Sequence, residues 1–290
     1  MLEQYQIDQY HQQGFLVIEG VLSDTEVASL SNDFERWVEE SRTKKQPWGK
    51  MQDGRSRFDI EDDHRADHPS LRRVSSPTEI SSAYRKIAFE SRMAAIAAQL
   101  IGGSGTRFHH SKVNSKLPHT KTVVDWHQDF PFTPHSNDDL VTALLMVSDV
   151  TPDNGPLLVV PGSHKGPLWS HWKNNQFTGF VDDTVVQAHC QTPVACYAPS
   201  GSVCFMHTRL LHASKPNNTE QPRTLFISVY AAEDALPFCE NPLPSEHAGL
   251  LVSGNESGIV RCTENQLRLP EKPRGASFFV QQQAAKHAMA

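Results

Sequence analysis

The stretch VACYAPSGSVCFMHTRLLHASKPNNTEQPRTLFISVY, residues 194–230, carries the pattern that decides the fold. Val194 to Ala198, Val203 to Met206 and Thr224 to Tyr230 are brief apolar or alternating runs, too short for helices and bounded by turn residues. Pro199-Ser200-Gly201 between the first two is a turn signal of the kind that joins antiparallel strands. Upstream, Arg107 to Val113, Thr122 to Trp126, Val141 to Val147 and Leu157 to Val160 repeat the pattern, punctuated by Asn154-Gly155 and Pro161-Gly162. A series of short strands behind a helical lead-in predicts a mainly β protein with flanking helices. The architecture expected is a double-sheet jelly roll or closed barrel, with helices buttressing one sheet.

The lead-in reads differently. Gly14 to Gly20 (GFLVIEG) is a short buried strand, and Ser23 with Glu26 forms a capping box ahead of Val27, Leu30, Phe34, Trp37 and Val38 at helical spacing. Thr43 to Pro77 is polar and unpatterned, which predicts long irregular surface segments. A second helix is expected from Ser76-Pro77-Thr78-Glu79 to Gly102-Gly103, with a break near Ser91. No repeat or linker divides the chain. The expectation is one domain: a helical part over about 1–105, a jelly-roll core over about 106–235 and wrapping loops over about 236–290.

Composition narrows the function classes. The 290 residues hold 27 Lys and Arg against 33 Asp and Glu, a net charge of −6 that opposes nucleic-acid binding by phosphate neutralisation. No apolar run approaches the roughly 18 to 20 residues of a membrane span. Met1 to Tyr10 lacks the features of a signal peptide, and five cysteines without a CxxC pair fit a reducing compartment. The location expected is cytoplasmic, with no membrane partner.

Fifteen histidines invite metal chemistry. Asp125-Trp126-His127-Gln128-Asp129 places an imidazole and a carboxylate two apart at the end of an expected strand, where period-two geometry points both to one face. Alone this pair is a weak signal. Farther on, Phe205-Met206-His207-Thr208-Arg209-Leu210-Leu211-His212 sets two candidate histidines, His207 and His212, just past an apolar strand, and Arg223 heads the next. Two histidines and one carboxylate make the facial triad of non-haem Fe(II) oxygenases, which leaves metal positions open for a 2-oxo acid and O2. An arginine fork is the side chain best matched to the distal carboxylate of 2-oxoglutarate.

His127-x-Asp129, Asn154-Gly155-Pro156-Leu157, Pro161-Gly162-Ser163-His164-Lys165-Gly166 and His212-x-Ser214-x-x-x-Asn218 with Arg223 together resemble the phytanoyl-CoA dioxygenase family, from about Gly14 to Tyr230. The resemblance implies a double-stranded β-helix core of the cupin-like kind and Fe(II) on His127, Asp129 and His212. His207 is the rival ligand, but only His212 stands at the family's eleven-residue spacing to Arg223. The resemblance further implies 2-oxoglutarate on Arg223, with Lys116 and Ser214 assisting, O2 as oxidant, and succinate and CO2 as coproducts. Lys116 has a plain alternative as a solvated surface lysine, and His164 is expected to be structural. A carboxylate at Asp129 favours hydroxylation over halogenation, since halogenases of this class give up that ligand.

Substrate choice is expected in the segment Gln46 to Ser75, where Arg55, Arg57 and His64 are candidate contacts, and in the loop Pro131 to Asp139. Trp126, Phe130 and Phe132 should pack around the site. An acidic chain with scattered basic residues does not suit a CoA handle, and Tyr230 to Pro237 (YAAEDALP) resembles the bacterial amino-acid hydroxylases, so a small polar metabolite is expected. The rival functions are a cupin-type metalloenzyme without an oxo-acid cosubstrate and a catalytically silent barrel that acts as a binding module.

Overall fold

The computed structural model describes residues 1–271 and 275–287; positions 272–274 and 288–290 of the expected wrapping tail lie outside the described residues. Helix α1 (Gln4–Gln13) ends at Gly14, whose φ of 80° turns the chain directly into strand β1 (Phe15–Ile18). An added Cβ at Gly14 would lie 2.4 Å from the His164 ring, so glycine serves both the turn and the close approach. Helix α2 (Asp24–Ser41) begins with the expected capping box: Ser23 N donates to the Glu26 carboxylate at 2.9 Å, and Glu26 N donates back to Ser23 Oγ at 3.4 Å. Leu30, Phe34 and Trp37 on its inner face are buried.

Two expectations for the lead-in need correction. Ser76 caps nothing, because its hydroxyl donates to Leu243 O and Pro244 O and its backbone is left-handed at φ 48°. The chain instead makes one 3-10 turn at Pro77–Glu79, and Ser81 caps α3 (Ser82–Glu90) by accepting from Tyr84 N. Ser91 then caps α4 (Arg92–Ile101), which is the expected break. The stretch read as irregular surface also holds β2 (Phe58–Ile60) and β3 (Leu71–Ser75), both buried along their whole length. Charge was misleading there because Arg72 and Asp59 neutralise each other in a buried ion pair of 2.8 Å.

The remaining strands are β4 (Gly105–Lys116), β5 (Val124–His127), β6 (Leu140–Met146), β7 (Leu157–Val159), the small hairpin β8 (Trp172–Lys173) and β9 (Gln176–Phe177), then, after α5 (Asp183–His189), β10 (Val194–Cys196), β11 (Val203–His207), β12 (His212–Ser214), β13 (Arg223–Ala232) and β14 (Leu251–Gly254). The tail expected as loops thus contributes β14 and also a helix, α6 (Phe278–His287). One antiparallel sheet runs β1-β11-β6-β13-β4-β3-β2, with β14 also paired to β4; a second runs β10-β7-β12-β5.

Alternation along the large sheet sorts its side chains into two layers. Val141, Ala143, Leu145, Phe205 and Phe226 pack outward against Leu30, Trp37, Tyr84 and the other apolar residues of the helices. Leu144, Met146, Cys204, Met206, Leu225 and Ile227 point the other way and meet Leu157, Val159 and Cys196 of the small sheet. The result is a jelly roll with helices on one face.

Phe226 joins the layers, fully buried and edge-on to the Tyr84 ring at 4.8 Å. Phe226→Ala should cost about 3–5 kcal/mol of stability, and Phe226→Leu less than half of that. Urea unfolding midpoints measure both.

Candidate metal centre

β5 and β12 are neighbours in the small sheet, and their register sets His127 directly opposite His212, with ring centroids 4.0 Å apart. Asp129 arrives by another route than expected. The strand ends at His127, and Asp129 lies in helical conformation (φ −71°, ψ −35°) at the head of a 3-10 turn over Phe130–Phe132. The turn, and not strand alternation, swings its carboxylate back to the imidazoles.

The geometry meets the requirements of a metal site. His127 Nδ1 contacts Asp125 O at 2.8 Å and His212 Nδ1 contacts Leu210 O at 2.9 Å. A carbonyl oxygen only accepts, so each Nδ1 carries a proton, and the tautomer this selects turns a lone pair outward at Nε2. These two Nε2 atoms stand 3.6 and 3.7 Å from Asp129 Oδ1. Those distances are too long for hydrogen bonds. Three lone-pair donors therefore converge without a proton between them, an arrangement that a divalent cation relieves.

Burial holds the His212 imidazole down to about 3, so it stays neutral and ready to ligate. Burial works against ionisation of Asp129, but the pull of His212, His127 and Lys112 around it holds its carboxyl well below the usual range. Its other oxygen, Oδ2, accepts from Thr142 Oγ1 at 3.0 Å. His207, the rival ligand, lies half-buried elsewhere, with its ring 5.2 Å from His164 and its Nδ1 accepting from Arg209 N. His164 in turn contacts His11 O, a structural position.

Two cavities meet at the triad. The inner one also reaches Asn114, Thr142, Ser214 and Arg223. Arg223 is buried, and burial pushes its guanidinium down only to about 10, so it remains charged. Its Nε donates to Gly155 O at 3.0 Å, leaving the terminal nitrogens for an acid. Gly155, from the Asn-Gly turn, has φ 83°, and a Cβ there would sit 2.7 Å from Lys215 O. Lys116 is not a surface lysine: it is 2% exposed and its Nζ donates to Ser214 Oγ at 2.8 Å and to Lys215 O. Burial and the nearby Arg223 hold its ammonium well below the ordinary value.

The outer cavity is lined by Arg55, Arg73, His110, Lys112, Phe132 and Phe278 beside His127 and Asp129. The two segments expected to govern substrate choice do contribute to it, but not through all of the candidate residues. Arg55 lines the cavity while paired with Asp53 at 2.7 Å. Arg57 is buried on Ser75 O, Ser76 O and Glu79, and His64 is held between Ser41 O and Ser70 N, so both brace the fold. Phe132 packs 5.8 Å from the His127 ring, whereas Phe130 and Trp126 belong to separate apolar clusters.

Arg73, Lys112 and Phe278 went unnoticed in the sequence. A usable signal existed for Lys112: His110, Lys112, Asn114 and Lys116 recur at period two along β4, a polar stripe inside a barrel. Phe278 of α6 sits 5.9 Å from His127 and lines both cavities.

The family model of phytanoyl-CoA dioxygenase (PhyH) matches residues 10–225. This chain belongs to that family. It is 31% identical over 206 residues to the probable alpha-ketoglutarate-dependent hypophosphite dioxygenase of Stutzerimonas stutzeri, covering 69% of this chain and 71% of that protein. With the L-proline trans-4-hydroxylase of Streptomyces griseoviridis it shares 27% identity over 242 residues, 76% of this chain and 83% of the relative. EctD from S. alaskensis, solved with bound Fe, shares the fold at a TM-score of 0.63 and 21% identity, over 90% of this chain and 87% of that one. The fold and the reaction class expected from the residues, a jelly roll and a 2-oxoglutarate-dependent oxygenase, are those of the family.

Thr142→Val removes the hydrogen bond that orients Asp129 and should lower Fe(II) affinity about 10- to 100-fold. Anaerobic calorimetry measures this, and an unchanged circular dichroism spectrum shows that the fold persists.

Proposed function

We propose that this protein is a single-domain Fe(II)- and 2-oxoglutarate-dependent dioxygenase that hydroxylates a small polar metabolite. The observation that carries this is the convergence of His127 Nε2, His212 Nε2 and Asp129 Oδ1 at the mouth of a cavity that ends at the buried Arg223. Those three atoms hold the metal. Fe(II), when bound, supplies the oxidising chemistry that couples decarboxylation of 2-oxoglutarate to oxidation of the substrate by O2, with succinate and CO2 released.

The protein's own share is positioning and exclusion of water. Arg223, with Nε committed to Gly155 O, offers its remaining nitrogens to the distal carboxylate of 2-oxoglutarate. Ser214 Oγ accepts from Lys116 and so keeps its own hydrogen to donate into the same cavity. Lys116 also ties β4 to Lys215 O, which fixes the strand that carries His212. Phe132 and Phe278 cover the His127 ring and keep bulk water from the triad. The imidazoles keep Nδ1 tied to Asp125 O and Leu210 O, which leaves Nε2 of each for the metal.

Hypophosphite and L-proline, named for two relatives, are small polar molecules, and the charged outer cavity suits a substrate of that kind. Five free cysteines support a reducing, cytoplasmic location. Among the described residues no helix is long and apolar enough to cross a membrane.

The Fe(II)-loaded protein should release succinate from 2-oxoglutarate only with O2 present, and a chelator should abolish the release. Arg223→Ala should weaken 2-oxoglutarate affinity roughly 30-fold or more, the scale of a buried charge pair that loses one partner. Oxygen consumption without any loss of 2-oxoglutarate would point to the cupin-type alternative.

A further inference from the structure

Two cations that line the outer cavity, Arg73 and Lys112, form no ion pair with any described residue. Arg73 on β3 is 3% exposed, yet its one hydrogen bond to a side chain goes from Nε to the neutral Asn114 Oδ1 at 3.0 Å. Its Nη2 is buried without any hydrogen-bond partner, although the residue lines the cavity. Its guanidinium stacks on Phe278 at 4.6 Å and Phe279 at 4.9 Å, which fixes its plane. Lys112 on β4 makes no hydrogen bond or ion pair with any described residue; its ammonium lies 5.8 Å from the Phe278 ring, near enough to Asp129 for their charges to act on each other. In the β3–β4 register Arg73 faces Asn114, so Lys112 is its diagonal neighbour on the same face of the sheet.

Holding a buried Arg73 and a half-buried Lys112 side by side without ion-pair partners is costly unless a counter-charge arrives. The carboxylates already present are engaged elsewhere: Asp59, opposite Arg73 in the β2–β3 register, pairs with Arg72 and accepts from Ser277. Asp129 is committed to the metal, the distal end of 2-oxoglutarate to Arg223, and Asp53 to Arg55. Glu240 and Glu271 also line the cavity, and Glu240 is engaged in a contact of its own.

We propose that Arg73 and Lys112 form the substrate-anchoring site, and that the substrate carries an oxyanion head group, a carboxylate or a phosphorus oxyanion, which these two residues hold beside His127 and Asp129. This rests on the oxygenase reading only for the word substrate; the anion site itself is built from β3 and β4. A planar carboxylate matches one edge of the guanidinium, whereas a tetrahedral phosphonate presents oxygens to both cations at once.

The test is anaerobic calorimetry on the Fe(II)- and 2-oxoglutarate-loaded protein, repeated on metal-free protein, with methylphosphonate, propionate and uncharged propionamide as probes. Saturable binding of an anion but not of propionamide is expected, and the preferred anion tells the two head groups apart. Arg73→Met and Lys112→Met should each weaken that binding at least tenfold, and Arg73→Lys less, while 2-oxoglutarate affinity and the thermal midpoint change little. A merely structural arginine would move the midpoint and leave anion affinity in the folded fraction intact. Equal binding of propionamide, no binding of any anion, variants that bind the anion as tightly as the parent, or a loss confined to 2-oxoglutarate would overturn the proposal. Anion binding by a protein that turns over no 2-oxoglutarate even when loaded with Fe(II) would sink the oxygenase reading alone, and succinate release without an anion site would sink this one alone.

Discussion

Everything chemical in this molecule depends on one cross-strand pair, His127 on β5 facing His212 on β12. Strand register is all-or-none: a slip of one residue would turn either imidazole to the other face of its strand. The register is held where β12 lies between β5 and β7, so His212 pairs with His127 on one side and Val159 on the other. Backbone carbonyls then fix both ring tautomers through Asp125 and Leu210, two residues before each histidine. The same small local device, repeated on both strands, aims two lone pairs at Asp129.

Polar groups inside a barrel are expensive, and here they are concentrated on one strand. The inner face of β4 carries His110, Lys112, Asn114 and Lys116, while its partner β13 supplies Leu225, Ile227 and Val229 beyond Arg223. Lys116 and Arg223 stand opposite each other at the end of β4, and Lys112 stands with Arg73 farther back along the same face. Two like-charged pairs inside one jelly roll are a local conflict that its own contacts leave unresolved. Conflicts of that kind mark the places where a fold has been shaped by something it binds.

Much of this was legible in the residues. Short runs with Asn-Gly and Pro-Gly turns identify the core strands, because burial between two layers demands apolar side chains at strand spacing. The Ser23–Glu26 box locates α2, since capping is a matter of residues three apart. Strands β2, β3 and β12 escaped notice because they are three to five residues long and mix Arg, Asp, His and Ser with apolar residues. Their burial depends on partners such as Arg72 with Asp59, which lie 13 positions apart.

Taken alone, the chain establishes the family, the β architecture and the identity of the metal-facing groups, because each rests on local spacing: two residues in His127-x-Asp129, eleven from His212 to Arg223. Folding in three dimensions was needed to turn Asp129 toward the imidazoles through a 3-10 turn, to bury Lys116, and to lay Phe278 from the far end of the chain over the site. It also brought Arg73 beside Lys112, 39 positions later in the chain, with no ion pair from either to any described residue. Spacing along a strand or turn is written in order of sequence, whereas an unbalanced charge is a property of everything packed around it.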